Sequence, residues 1–384
     1  MKIVVIDDDP TGSQTVYGCP LLLDWDVDTL RIGLKHHSPL LFILGNTRSL
    51  IAEEASSRIA DICRSFKKAI EIEGFSMDDF LFVSRGDSTL RGHGFLEPQI
   101  INKELGPFDA TFHVPAFLEA GRTTVRGVHF LNGTPIHETS FARDKIFGYS
   151  TSHLSHWLEE KSKGLILSSN VYELSIEVLE SAFKSPTGMD KLLHYLSHLS
   201  SNQPVIVDAE NSFHLEVFAK AIRKLSTQKR FLFRSAASLL NHLASLTSQN
   251  LKAKNFSRLR LMHTSGGFKP GLVLVGSHVK LADDQLQVLL REESCTGFEL
   301  PVEKIAGVLD GSISRITMKD LLQEWYANIS EILDSGKTPV IFTTRKELQF
   351  SSAIYRLEFG IKLAKSMASL VNCLIPRIGY IISK

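Results

Sequence analysis

The sequence predicts an α/β protein of two domains, each a largely parallel sheet flanked by helices. Three observations carry this expectation. Short apolar runs of strand length alternate with longer stretches of helical periodicity, the order expected when helices wrap a parallel sheet. The polar clusters fall directly after the apolar runs, at the ends where open α/β sheets bind ligands. The chain is 384 residues long, and a polar stretch near residue 250 is followed by a second round of strand and helix patterns, which fits more than one hydrophobic core.

Taken in order, residues 2–6 read as a short buried strand running straight into Asp7-Asp8-Asp9-Pro10-Thr11-Gly12-Ser13. Three adjacent carboxylates repel one another, so the run is costly unless a cation, a hydroxyl-rich ligand or backbone N–H groups offset it. The plainer alternative has Asp9 capping a helix that starts near Thr11 or Ser13. Residues 40–44 form the next strand, followed by Gly45-Asn46-Thr47-Arg48-Ser49. A long amphipathic helix then spans 51–72, with Ala55, Ile59, Ile62 and Phe66 recurring near helical spacing. The strand 80–83 delivers Arg85, Gly86, Asp87, Ser88, Thr89, Arg91, Gly92 and His93 into one loop. The guanidinium forks of Arg85 and Arg91 suit a carboxylate or phosphate, and Gly86 and Gly92 let backbone approach a ligand closely. A structural Arg–Asp pair on a surface loop is the alternative.

A strand over 109–114 precedes Pro115-Ala116-Phe117 and Gly121-Arg122-Thr123-Thr124. Residues 204–207 end in Asp208-Ala209, with a helical pattern to about Leu225, and 231–233 lead into Arg234-Ser235-Ala236-Ala237. A polar stretch containing Lys252, Lys254, Arg258 and Arg260 reads as a linker. The expected division is therefore a first domain at 1–246, a linker at 247–269 and a second domain at 270–384. The second domain opens with a strand at 271–275 and includes strands near 339–342 and 380–382. In the first domain, four strand ends supply polar loops and three carry arginine, a convergence that suits a small, acidic, hydroxyl-rich ligand.

These segments, in this order, resemble the four-carbon acid sugar kinase family, whose members phosphorylate tetronic acids with ATP. Asp8, Asp9, Thr11 and Gly12 match its Asp-Asp-x-Thr-Gly signature, and residues 87–92 match Asp-Ser-Thr-Leu-Arg-Gly. Residues 115–117 and 121–124 match Pro-Ala-Phe…Gly-Arg-Thr-Thr. Gly276-Ser277, with Gln285 on the next helix, is similar to the start of the family's nucleotide domain. The resemblance covers nearly the whole chain. Arg234 departs from it, standing where the wider family more often has glycine.

The resemblance implies phosphorylation of the terminal hydroxyl of a four-carbon acid sugar by ATP with Mg²⁺. Asp8 and Asp9 would be catalytic, engaging hydroxyls, with one of them accepting the proton. Arg91, with Arg85 or Arg122, would hold the substrate carboxylate. Thr11, Gly12, Asp87, Ser88, Thr89 and Gly92 would complete the substrate site, and Gly276 and Ser277 would touch the nucleotide. No metal ligand is assigned. In the family, a strand like 376–384 precedes a Gly-Gly-x-Thr phosphate loop. The sequence ends at Lys384, so the reading expects truncation before that loop and an incomplete second domain. An unpaired final strand would also favour a homodimer.

Composition narrows the partners. A net charge of +1 gives no general attraction to nucleic acid or acidic membrane, and no apolar run approaches the ~18 residues of a transmembrane helix. Met1-Lys2-Ile3 enters a strand with no cleavable signal pattern, which points to the cytosol. Cys19, Cys63, Cys295 and Cys373 are scattered without metal-ligand spacing. Gly336-Lys337-Thr338 lacks the first glycine of a P-loop and precedes a strand instead of following one. Asp7-x-Asp9-x-Thr11 matches the nucleophile of haloacid-dehalogenase-like phosphatases, but Asp283-Asp284 starts a helix and makes a poor metal pair for it. His93, His113, His129 and His137 sit in separate segments and read as surface or ligand-contacting residues. A non-catalytic acid-sugar binder is the remaining alternative.

Overall fold

The computed structural model describes residues 1–16, 18–245, 261–262, 266–346, 348–350 and 352–383. The chain divides into two compact units, Met1–Thr247 and Ser248–Lys384. Most of the stretch read as a linker, including Lys252, Lys254, Arg258 and Arg260, lies outside the described residues. Within it, Met262 and Phe268 form an antiparallel bridge.

In the first unit the strands are β1 (Lys2–Asp7), β2 (Leu21–Leu22), β3 (Leu40–Leu44), β4 (Phe80–Arg85), β5 (Ala110–Val114), β6 (Arg122–Val125), β7 (Val128–Leu131), β8 (Thr134–Pro135), β9 (Tyr172–Leu174), β10 (Gln203–Val207) and β11 (Phe231–Ser235). The helices are α1 (Val27–Lys35), α2 (Ala52–Glu73), α3 (Leu96–Leu105), α4 (Leu154–Lys161), α5 (Ile176–Lys184), α6 (Pro186–Ser197), α7 (Ser212–Leu225) and α8 (Ser238–Leu243). Eight strands form one sheet in the order β2-β3-β1-β4-β11-β5-β10-β9, and each pairing in it is parallel. Strands β6, β7 and β8 form a small antiparallel sheet.

Period-two alternation explains how both faces of the large sheet are covered. Ile3 and Val5 join Phe42, Val83 and Phe112 in a core that takes in Leu179, Leu192, Leu215 and Leu239 from α5–α8. Val4 and Ile6 face the other way, into a core with Leu30, Ile59, Phe66 and Ile101 from α1–α3. Helix α2 buries Ala55, Ile59, Ile62 and Phe66, and ends on Gly74 at φ 72°, the left-handed stop that glycine adopts most readily.

Three strands run further than their apolar cores. The strands expected to stop near Ile6, Val83 and Phe233 continue through Asp7, Arg85 and Ser235. Charged residues at these positions remain in the ladder because oppositely charged groups on neighbouring elements offset them, information that a one-dimensional hydrophobic pattern does not hold. The register then sets Leu44, Asp7, Arg85, Ser235 and Val114 side by side on β3, β1, β4, β11 and β5. From β1 the chain first builds one side of the sheet and then the other, so the β1/β4 boundary is its topological switch point.

The second unit contains β12 (Gly271–Val275), α9 (Lys280–Leu289), β13 (Cys295–Leu300), α10 (Val302–Leu309), α11 (Met318–Asp334), β14 (Thr338–Thr343), α12 (Ala353–Leu374) and β15 (Tyr380–Ser383). Its parallel sheet runs β13-β14-β12-β15. Leu272 and Ile341 pack with Ile305, Trp325, Ile329 and Leu374 on one face, while Val273, Val275 and Val340 pack with Leu286 on the other. The final strand is not unpaired as expected: β15 hydrogen-bonds along β12. No helix among the described residues is long and apolar enough to cross a membrane.

Candidate functional site

Backbone hydrogen bonds stitch the loops at the β1/β4 switch point together. Asp8 N–H donates to the Arg85 carbonyl at 3.2 Å, and Gly86 N–H to that of Ser235 at 2.9 Å. The Asp7 carbonyl accepts from Gly45 at 2.9 Å and Asn46 at 3.1 Å, and the Asp8 carbonyl accepts from Arg48 at 3.1 Å.

On this frame sits a buried charge network. Arg48 grips Asp8 with two donors, Nη2 to Oδ1 at 2.6 Å and Nε to Oδ2 at 3.3 Å, and reaches Asp9 Oδ2 through Nη1 at 3.2 Å. Arg85 Nη1 lies 3.5 Å from Asp7 Oδ1 and 3.8 Å from Asp8 Oδ1. Arg234 Nη2 lies 3.6 Å from Asp8 Oδ2, while its Nη1 donates to Glu97 Oε2 at 2.5 Å and to Ser84 Oγ at 2.7 Å. Glu97 also accepts from Thr47 Oγ1 at 2.6 Å. Asp7, Asp8, Glu97, Arg85 and Arg234 are all buried. The cations that the triple-aspartate run requires therefore come from the protein itself, and removing one partner would strand a buried charge.

The three aspartates are electrically distinct. Burial pushes Asp7 up to about 7, against the pull of Arg85 and with added repulsion from Asp8, and its Oδ2 has no hydrogen-bond partner among the described residues. Gly12 lies directly over it, and a Cβ there would come within 1.9 Å of that oxygen. Burial also raises Asp8, with Arg48 and Arg234 opposing. For Asp9, burial is outweighed by Arg48 and by the Thr11 hydrogen bonds, so its carboxyl lies below the ordinary value. Its Oδ1 accepts from the Thr11 N–H at 2.8 Å and from the Thr11 hydroxyl. The capping alternative is thus partly realised: Asp9 ties Thr11, the residue ahead of a short 3₁₀ turn, Gly12–Thr15.

The loop after β4 forms the opposite wall. Leu90 at φ 65° and Gly92 at φ 96° both take left-handed backbone, and Leu90 is buried. A non-glycine residue held this way needs outside support. His129 Nε2 donates to the Ser88 carbonyl at 2.8 Å and Tyr149 OH to that of Thr89 at 2.8 Å. Arg91 Nε donates to Asp87 Oδ2 at 2.7 Å and Thr89 Oγ1 at 3.1 Å, with its guanidinium 4.9 Å from the Phe141 ring centre. Burial works against Asp87, but Arg48 and Arg91 hold it down to about 2. The Arg91 side chain is 30% exposed, against 19% for Arg48 and 8% for Arg85 and Arg234, so it is the one of these four best able to meet a ligand. Arg122 donates to the Ala120 carbonyl at 2.8 Å and is close enough to Asp87 and Arg91 to feel both charges.

The structure thus brings Asp8, Asp9, Thr11, Gly12, Arg85, Asp87, Ser88, Thr89, Arg91, Gly92 and Arg122 to one end of the large sheet. The kinase site assigned from the sequence did not include Asp7, Arg48 or Glu97. Asp7 and Arg48 carried a signal, because each directly follows or lies close behind a strand, whereas Glu97 looked like any acid in a first helical turn. For His113 and His129 the structure corrects the expectation of surface histidines. Both are buried. Burial, then the nearby Arg234 charge, drives His113 down to about 3, and burial drives His129 to about 4. His93 donates to the Leu50 carbonyl at 3.0 Å.

Gly276 and Ser277 belong to the second unit, at the carboxyl end of β12. The space a Gly276 Cβ would occupy is open. The Ser277 carbonyl accepts from Arg345 Nη2 at 2.5 Å, Arg345 Nε donates to Asp283 at 2.8 Å, and His278 Nε2 lies 3.3 Å from Thr343 Oγ1. Loops from adjacent parallel strands meet here as well.

Fold and site define a two-domain protein in which a sugar-binding unit precedes a nucleotide-binding unit. The family model of a sugar-binding N-terminal domain matches residues 3–243, and that of a nucleotide-binding C-terminal domain matches 272–383. The chain belongs to the four-carbon acid sugar kinase family. Both domains are present, so the expected truncation of the second is not supported. A D-erythronate kinase from Heliobacterium modesticaldum is 30% identical over 151 residues, a match spanning 37% of this chain and 32% of that enzyme's length. A Haemophilus influenzae protein superposes with a TM-score of 0.57 at 18% identity, covering 99% of this chain and 85% of the other. A Salmonella typhimurium protein solved as a candidate tRNA synthase gives 0.64 at 17%, covering 100% and 85%. At these identities the two structures speak for the fold alone.

Proposed function

We propose that this protein is an ATP-dependent kinase that phosphorylates the terminal hydroxyl of a four-carbon acid sugar. The observation that carries the proposal is the arginine–carboxylate network at the β1/β4 switch point. It holds Asp9 ionised and partly exposed at the sheet end that also carries Arg91, the most open of the four arginines Arg48, Arg85, Arg91 and Arg234, in a chain that also has a nucleotide-binding domain. Arg91, aided by Arg122, receives the substrate carboxylate. Asp9 orients the attacking hydroxyl and takes its proton as transfer proceeds. Asp8, fully buried, acts behind it as the counter-charge that locks Arg48 and Arg234, and Arg85 plays the same internal part toward Asp7 and Asp8. Thr11 and Gly12 hold Asp9 and the loop above Asp7, while Ser88, Thr89 and Gly92 shape the wall that carries Asp87 and Arg91.

ATP is assigned to the second unit through Gly276 and Ser277. Mg²⁺ arrives as part of the MgATP substrate, which requires one or two carboxylates together with the phosphates and no dedicated cage. Phosphoryl transfer relies on positioning and charge stabilisation, so a rigid, pre-paired acid cluster is the appropriate equipment.

The test is ATP consumption with Mg²⁺ over a panel of four-carbon acids, with D-erythronate first because a relative bears its name. Asp9→Asn is expected to lower kcat by about 10²–10⁴-fold with an unchanged circular dichroism spectrum. Undiminished turnover in that variant removes Asp9 from the chemistry.

A further inference from the structure

Beneath the loop formed by residues 86–94 lies a cavity of 20 Å³, walled by Asp87, Arg91, His113, Leu154, Trp157 and Arg234 among others. A water-sized group needs about 10–15 Å³ of such space, so the cavity admits one small group and not a carboxylate or phosphate. His113 and Trp157 are 5% and 4% exposed. Each carries a buried ring nitrogen, Nδ1 and Nε1 respectively, with no hydrogen-bond partner among the described residues. Two residues lining one cavity that each carry such an atom are unusual, because buried polar groups are nearly always paired.

The elements hold both rings in place. His113 lies on β5, beside Arg234 of β11 in the sheet register, one residue before the strand end. Trp157 projects from α4, and Gly94 lies so close to it that a Cβ there would come within 2.5 Å of the ring. The loop that carries Asp87 and Arg91 is thereby closed over the indole.

We infer that this cavity is a specificity subsite for one uncharged hydroxyl group of the acid sugar, read by Trp157 as donor and His113 as acceptor. An indole N–H only donates, and a neutral imidazole nitrogen without its proton only accepts. One hydroxyl satisfies both, accepting from Trp157 and donating to His113. A methylene in the same place would leave both ring nitrogens unpaired, which is the strongest form of discrimination a binding site can apply. His113 is suited to accept because burial, reinforced by the Arg234 charge, keeps it neutral near pH 7.

The inference rests on the kinase reading, and the experiment separates the two. Trp157→Phe keeps an aromatic ring and removes only the N–H, and His113→Leu removes the acceptor. For wild type and both variants, kcat/KM is measured on the preferred four-carbon acid and on its analogues lacking the 2- or the 3-hydroxyl. The wild type is expected to favour the full acid over one analogue by at least about 100-fold. Each variant should lose at least about tenfold on the full acid while staying within about twofold on that one analogue. Equal losses on all acids, or no loss, overturn the subsite and leave the cavity to a structural water. If wild type phosphorylates no acid, the kinase reading fails, and calorimetric binding of the same acids decides the subsite by the same comparison. Equal or absent binding there overturns it.

Discussion

At the residue scale, Asp7 has a measurable consequence for stability. Its carboxyl has an ordinary value of 3.8 and is pushed up to about 7, chiefly by burial. Below the lower value both folded and unfolded chains carry the proton, and above the upper value neither does. Between them the folded chain binds more protons, so this group's contribution to stability falls as pH rises. Asp87 acts in the opposite sense: held down to about 2 by Arg48 and Arg91 against burial, it stabilises above its ordinary value, and that support is lost as pH falls toward 2. Comparing Asp7→Asn with wild type isolates the first effect. Its Tm advantage should grow from about pH 4 to about pH 7 and then level off, reaching at least about 3 °C by pH 8, where ~1 kcal/mol corresponds to about 2–4 °C in a domain of this size. An advantage that does not change with pH would show that Asp7 ionises as an ordinary carboxylate.

At the element scale, the central strands are held by aromatic packing that also fixes the site's register. Phe112 on β5 is fully buried, with ring centres 5.0 Å from Phe218 on α7, 5.2 Å from Phe231 and 5.6 Å from Phe233 on β11. These contacts seat β11 against β5, and β11 in turn carries Arg234 to Asp8 and Glu97. Phe112→Ala should lower the unfolding free energy of the first unit by about 3–5 kcal/mol, read from urea denaturation. A loss under about 1 kcal/mol would mean that the cluster is not the anchor of these strands. The apolar run of β1 was plain in the sequence, as was the helical stripe of α2, whereas the division of Ile3/Val5 from Val4/Ile6 between two cores came with the sheet. The strand ends were not plain, because apolar patterning stops at the last apolar residue whereas Asp7, Arg85 and Arg234 stay in the sheet through charge pairing.

At the scale of the whole molecule, two units with separate cores carry separate ligand assignments. Arg91→Ala should therefore weaken acid-sugar binding at least tenfold in calorimetry while leaving the Kd for MgATP within about twofold. Parallel losses of both ligands would contradict that division.

The chain alone was enough to read the α/β class, the strand-end loops and the ordered signatures that mark the family, because these depend on local periodicity and on residues close in sequence. It also assigned Asp8, Asp9, Asp87 and Arg91 to a candidate ligand site, on the ground that polar clusters directly after strands mark the ligand-binding ends of open α/β sheets. Which of those groups are buried, and against what, was decided only by the folded sheet. Arg234 meets Glu97 across 137 residues of chain and Arg48 meets Asp8 across 40, distances at which no local pattern records a contact. His113 and Trp157 likewise line one cavity only because packing brings β5 and α4 together. The ionisation of a buried acid depends on its desolvation and on charges from neighbouring strands, and both of these come into being only when the register closes.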